Sequence, residues 1–167
     1  MLLQATNLTK IYPGGVVALQ DFSCNLDKGF VGVVGPNAAG KTTLLKLLAG
    51  LEAPTAGKVS FAGLELPKNK LLLHSAMGYL PQEFGFYNSQ SGEAMLEYIA
   101  FLKGIVDSKR RRDSIDEVLA MVNLNSARKV VVGQYSFGMK KRLGIAQSLL
   151  GSPRLLILDE PMEGLDP

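Results

Sequence analysis

The chain has a single cysteine, Cys24, among 167 residues, so no internal disulfide can form and a disulfide scaffold is excluded. It has no apolar run near the roughly 18 residues needed to cross a bilayer, because Lys46 interrupts the Leu-rich stretch around Leu44 to Leu48. Any membrane link is therefore expected to come through a partner. No leading basic stretch followed by an apolar run resembles a secretion signal, and a cytosolic location is the expectation. Charge is nearly balanced at +3, and the basic run Lys109 to Arg112 sits among polar residues, as on a solvated helix face. Lys140, Lys141 and Arg142 are read in the same way, so no nucleic-acid partner is expected. Internal repeats and low-complexity segments are missing too. What remains is 47% hydrophobic and 20% charged, the composition of a globular domain able to bury roughly two-thirds of its unfolded surface.

Turn signals at Pro13-Gly14-Gly15 and Asp27-Lys28-Gly29 divide the first thirty residues into two strands joined by a hairpin-like connection, an antiparallel edge. Phe30 to Val34 is a short apolar run ending at a glycine, the form of a buried parallel strand. From Lys41 to Leu51, Leu44, Leu45, Leu47, Leu48 and Leu51 recur at helical spacing until Gly50 ends the helix. Gly57 to Ala62 and Met77 to Leu80 read as strands with a short helix through Leu71 to Ser75 between them. Met95, Ile99 and Leu102, then Ile115, Val118, Leu119 and Val122, mark helices, and residues 88–135 are assigned to a helical subdomain inserted within one domain, 1–167. A further helix runs from about Phe137 to Leu150, ended by Gly151-Ser152-Pro153, and Leu155 to Leu158 is a last buried strand.

Gly35-Pro36-Asn37-Ala38-Ala39-Gly40-Lys41-Thr42 fits the pattern GxxxxGKS/T, set between an expected buried strand and a helix. Such a loop turns successive backbone N–H groups inward as an anion nest while the helix N-terminus adds partial positive charge. Lys41 would reach the β- and γ-phosphates, and Thr42 would offer its hydroxyl to Mg²⁺. A purely structural turn explains the glycines but not the lysine and threonine that follow. Asp159 closes a four-residue apolar strand, where open parallel sheets place ligands, and suits a Mg²⁺ shell. Glu160, one residue on, could take a proton from an attacking water as general base. A helix N-cap aspartate is the alternative for Asp159, and it leaves Glu160 unexplained.

Taken in order, GPNAAGKTT, YLPQEF, YSFGMKKRLGIAQSLL, LLILDEP and GLDP resemble the nucleotide-binding domain of ATP-binding cassette (ABC) transporters over essentially the whole chain. The resemblance implies an α/β P-loop NTPase (RecA-like) fold: a parallel sheet flanked by helices, with an N-terminal antiparallel β subdomain and a helical insertion. It implies an ATP-powered motor whose two copies close on two nucleotides with Mg²⁺, as a transporter subunit on the inner face of the cell membrane beside a transmembrane permease subunit. On this pattern Tyr12 stacks on adenine, although a core tyrosine is the other reading, and Thr43 joins the phosphate site. Gln82 matches the glutamine that touches Mg²⁺ and water and links the site to the helical insertion. Ser136 and Gly138 fall in the signature that caps the γ-phosphate of the opposite subunit; a plain N-cap explains Ser136 equally well. Asp166 matches the loop that crosses to the partner.

The sequence departs from the family pattern in three places. Ala38 stands where the family has glycine, a change that its short side chain is expected to tolerate. Phe137 replaces a signature glycine. No histidine follows Asp166, where the family has one that contacts the γ-phosphate, and His74 lies too far upstream to serve; it is read as a surface or packing residue. The resemblance places a strand before that histidine, between Phe30–Val34 and Leu155–Leu158, so the C-terminal part of the cassette is expected to be absent and those two strands separated by a gap. A nucleotide-binding fragment without hydrolysis, or a soluble ABC ATPase outside transport, are the alternatives.

Overall fold

The computed structural model describes residues 2–83 and 85–162 and forms two compact units, residues 1–74 and 75–167. In the first, β1 (Leu3–Tyr12) pairs antiparallel with β2 (Val16–Leu26) and with β3 (Ala56–Phe61). The two-residue β4 (Leu64–Glu65) completes a sheet in the order β2-β1-β3-β4. Along β1, Leu3 and Ala5 point inward, and strict alternation would bring Asn7 in next. A register shift at that point, with Asn7 and its neighbour Asp21 on β2 both at positive φ, brings Leu8 inside instead. The Asn7 side-chain amide donates to Asp21 Oδ1 at 2.7 Å and holds the bulge.

Helix α1 (Lys41–Leu48) lays Leu44, Leu47 and Leu48 into this unit's core beside Val59, Phe61 and Leu73. It stops where the sequence predicts: Gly50 turns left-handed at φ 64°, and Leu51 N–H returns to Lys46 O at 2.9 Å. A short helix, α2 (Lys70–Ala76), buries Leu73 and sets His74 Nε2 3.1 Å from Ala49 O, so the single histidine is a packing residue.

In the second unit, β5 (Met77–Leu80) pairs in parallel with β6 (Leu155–Leu158). Three helices, α3 (Gly92–Leu102), α4 (Ser108–Met121) and α5 (Phe137–Leu149), share a core that includes Leu96, Ala100, Ile115, Leu119, Leu143 and Ala146. Each of these helices opens on a side-chain cap, Ser91, Asp107 and Ser136 in turn. Arg128 binds Glu93 and Asp116 at 2.7 Å each, tying the first turn of α3 to α4.

Three expectations are corrected. Phe30 to Val34 forms no strand: Phe30 is fully exposed and Val34 is 95% exposed. Apolar patterning reports a preference for burial, but a strand also needs an edge to accept its N–H and C=O groups, and no described strand pairs with this segment. Leu155 to Leu158 is a strand, yet only Ile157 is buried, because β6 has one neighbour. Lys141, expected on a solvated face, is 0% exposed. Helix α5 is covered on two sides: Leu143, Ala146 and Leu150 enter the helical core, while Lys141, Gly144 and Ser148 form a second buried stripe. A helix covered on both sides carries no clear amphipathic signal.

The close approach of α5 to β5 depends on Gly78. A Cβ built there would lie 1.9 Å from Ser148 O, a backbone atom that cannot swing aside. Gly78→Ala is expected to cost about 1–3 kcal/mol by chemical denaturation, whereas Gly85→Ala, where a Cβ meets nothing within 4 Å, should stay within about 0.5 kcal/mol of the parent.

Candidate functional site

In the first unit, the loop 35–40 reverses through left-handed residues at Ala38 (φ 63°) and Gly40 (φ 86°), with Ala39 N–H donating to Pro36 O at 3.3 Å. Ala38 is thus accommodated where the resembled family has glycine, at a backbone cost of about 1–2 kcal/mol. Gly40 has no such latitude, since a Cβ there would lie 2.2 Å from Ala18 O on β2. The first intrahelical bond of α1 runs from Leu44 N–H to Gly40 O at 2.8 Å. The amides of Lys41, Thr42 and Thr43 therefore have no intrahelical acceptor. No side chain caps them and no acidic residue stands in the first turn. Gly35, Pro36, Asn37, Ala38 and Ala39 are exposed, and Thr42 and Thr43 are half-buried.

Lys41 Nζ donates to Gly35 O at 2.8 Å and to Pro36 O at 2.9 Å, which folds the ammonium over the mouth of its own loop. These acceptors are neutral, and a phosphate oxygen would offer the same ammonium an acceptor of opposite charge. Tyr12, at the end of β1, is half-buried with its hydroxyl bound to Glu52 Oε2 at 2.9 Å and 3.3 Å from Thr43 Oγ1. Lys10 Nζ stands 5.1 Å over the Tyr12 ring. Neither Glu52 nor Lys10 is among the sequence candidates: Lys10 is legible, since residues two apart on a strand share a face, whereas Glu52 carries no local signal.

In the second unit, Gln82 follows β5 by two residues and Asp159 and Glu160 follow β6 directly, so all three stand beyond the carboxyl ends of paired parallel strands. Asp159 N–H donates to Leu80 O at 2.9 Å, extending the ladder one step. The structure brings Gln82 and Glu160 into contact, Nε2 to Oε2 at 3.1 Å. The adjacent acids differ in environment. Asp159 is 2% exposed, and its Oδ2 has no hydrogen-bond partner among the described residues. Glu160 is held at φ 47°, a left-handed conformation that glutamate rarely adopts.

No group of three or more His, Cys, Asp or Glu residues among the described residues could hold a metal unaided. A cation that keeps several of its own waters needs only one or two protein oxygens. The unpartnered oxygen of Asp159 supplies the kind of buried acceptor such a cation compensates.

At the start of α5, Ser136 Oγ accepts from Met139 N–H at 3.2 Å, so the capping reading of this serine holds. Phe137 stands 60% exposed beside it, and Gly138 is half-buried. Asp166 lies outside the described residues.

The sequence matches the family model described as "ABC transporter" over residues 19–163. It is 40% identical over 167 residues to the bacitracin transport ATP-binding protein BcrA of Bacillus licheniformis, covering 99% of this chain and 53% of that protein. It is 39% identical to the lantibiotic transport ATP-binding protein SrtF of Streptococcus pyogenes, of which it covers 69%. Among solved structures, the dimeric MJ0796 ABC transporter cassette superposes with a TM-score of 0.90 at 26% identity, over 99% of this chain and 76% of that one. The chain thus spans about half the length of the first of these relatives.

The buried oxygen of Asp159 generates a test. Asp159→Asn exchanges a buried carboxyl with one unpartnered oxygen for a neutral amide and is expected to raise stability in urea by about 1–3 kcal/mol without ligand, while weakening Mg²⁺-dependent nucleotide binding. A variant that is less stable without ligand would show that the carboxylate is already compensated.

Proposed function

The chain belongs to the ABC transporter family, and from that premise we propose that it is an ATP-binding and ATP-hydrolysing subunit that powers transport through a separate membrane subunit. The observation that carries this reading is the start of α1, where three amides have neither an intrahelical acceptor nor a side-chain cap and the Lys41 ammonium beside them is held by the neutral carbonyls of Gly35 and Pro36. An anion with several oxygens answers all of these donors at once.

The nest and Lys41 bind the β- and γ-phosphates and meet the charge that develops on them in the transition state. By the family pattern alone, Thr42, Asp159 and Gln82 are the residues that would hold Mg²⁺; when bound, the ion would neutralise charge on the phosphate oxygens. Glu160 orients an attacking water and takes its proton. The bond from Gln82 supports this assignment, since a carboxylate gripped on one oxygen has a fixed direction for the other. By the family pattern, Tyr12 stacks on the base, Ser136 and Gly138 serve the nucleotide of a second copy, and Asp166 serves the contact with that copy.

Docking of the membrane subunit is assigned to the region of Gln82 and the helical segment 88–135. A groove of about 450 Å³ there is lined by Tyr87, Gln90, Met95 and Tyr98, and its two tyrosines stand more than half exposed, edge to face. No described helix is long and apolar enough to cross a membrane; by the family pattern, the location proposed is peripheral, on the inner face of the cell membrane. The names of the relatives speak of bacitracin and lantibiotic transport, which supports a cargo of antibiotic type.

Glu160→Gln is expected to bind ATP as the parent does while phosphate release falls by about 10²- to 10⁴-fold. Unchanged release would remove Glu160 from the general-base role. A parent chain that binds ATP and releases no phosphate would be a nucleotide-binding module without turnover, the reading that Phe137 in the signature supports.

A further inference from the structure

Tyr12 is held from three sides, all within residues 1–74. Its hydroxyl reaches Glu52 Oε2 at 2.9 Å and Thr43 Oγ1 at 3.3 Å. A carboxylate can only accept, so the phenol donates to Glu52, and the threonine hydroxyl is left to donate to the phenol oxygen. The result is a directed chain, Thr43 to Tyr12 to Glu52, in which each bond polarises the next. Glu52 is itself fixed by Lys10 at 3.4 Å and Lys46 at 3.7 Å. Lys10 also donates to Ala53 O at 2.9 Å and stands 5.1 Å above the Tyr12 ring centroid, where it occupies one face. The segment carrying Glu52 is stitched to β1 on either side of Lys10: Thr55 N–H donates to Thr9 O at 2.8 Å and Ile11 N–H to Thr55 Oγ1 at 3.0 Å.

We propose that Glu52 is a positioning residue for the nucleotide base: it fixes the Tyr12 ring through the phenolic hydroxyl, Lys10 closes one face so that a base stacks on the other, and Thr43 ties the ring to the helix that begins in the phosphate loop. The spacing between base and phosphate sites is then set by one hydrogen-bonded chain. This rests on the reading of Tyr12 as the aromatic that stacks on the base. A freely rotating phenol would serve as a platform only after losing that freedom on binding, and Glu52 removes that cost in advance.

The test compares ADP, which carries a base and is not turned over, with inorganic pyrophosphate, which has none, by titration calorimetry on the full chain. Tyr12→Ala should weaken ADP most. Tyr12→Phe and Glu52→Ala should each weaken ADP about three- to tenfold, and the double variant Tyr12→Phe/Glu52→Ala no further than the weaker of the two, because each already loses the shared Tyr12–Glu52 bond. Glu52→Gln, which keeps an acceptor for the phenol, should recover most of the affinity. Pyrophosphate should bind every variant alike. If Tyr12→Ala leaves ADP binding unchanged, the stacking reading itself fails and the proposal with it. If Tyr12→Ala weakens ADP while Tyr12→Phe and Glu52→Ala match the parent, stacking stands and the positioning role falls. Additive losses in the double variant, no recovery with Gln, or parallel losses for pyrophosphate in Tyr12→Phe and Glu52→Ala would each overturn it as well.

Discussion

A carbonyl oxygen on β2 dictates the chemistry of the phosphate loop. Ala18 O lies where a side chain at residue 40 would start, so that position must be glycine, and glycine also suits the left-handed angle there. Glycine has nothing with which to cap a helix. Helices α3, α4 and α5 each satisfy an amide with a serine or aspartate, whereas α1 begins with its first three amides uncapped and no acid in its first turn. One steric contact thus leaves the helix dipole and three donors to an anion, with Lys41 and Thr42 beside them.

A second close approach orders the acidic end of the other unit. Without a side chain on Gly78, α5 lies against β5, which runs in register with β6 from Met77 opposite Leu155 to Leu80 opposite Leu158. Gln82 and the Asp159-Glu160 pair leave the same edge of that ladder. Neighbouring carboxylates take different tasks when their surroundings differ. Asp159 is buried, with one oxygen that has no hydrogen-bond partner among the described residues. Glu160 is reached by a neutral amide donor, which orients the carboxylate without neutralising it.

Short-range signals made most of this legible. The cap at Ser136, the glycine stop of α1 and the glycine-lysine-threonine step are each written in a few adjacent residues. Three features depend on what lies far along the chain. Phe30 to Val34 has the composition of a buried strand, but composition cannot supply the neighbour that a ladder needs. Lys141 looks solvated in a basic triplet, yet helix packing on two sides buries it. Glu52 is unremarkable in sequence and gains its place only because residues 52–55 return to β1, which sets the carboxylate beside a tyrosine 40 positions earlier.

Backbone strain separates supported positions from unsupported ones. Asn7 and Asp21 take left-handed angles in a β-bulge, where both residue types are at home and bond each other. Ala62 shares a tight two-residue turn with Gly63, and Asn123 and Ser152 follow the ends of α4 and α5. Each has a local reason. Ala38 and Glu160 end no helix and turn no hairpin, and neither residue type is favoured there, yet they take φ 63° and 47°. Both lie in the two loops that carry the phosphate and acid motifs. A cost of about 1–2 kcal/mol at each is unexplained by folding alone and is accounted for if these loops are shaped for what they hold.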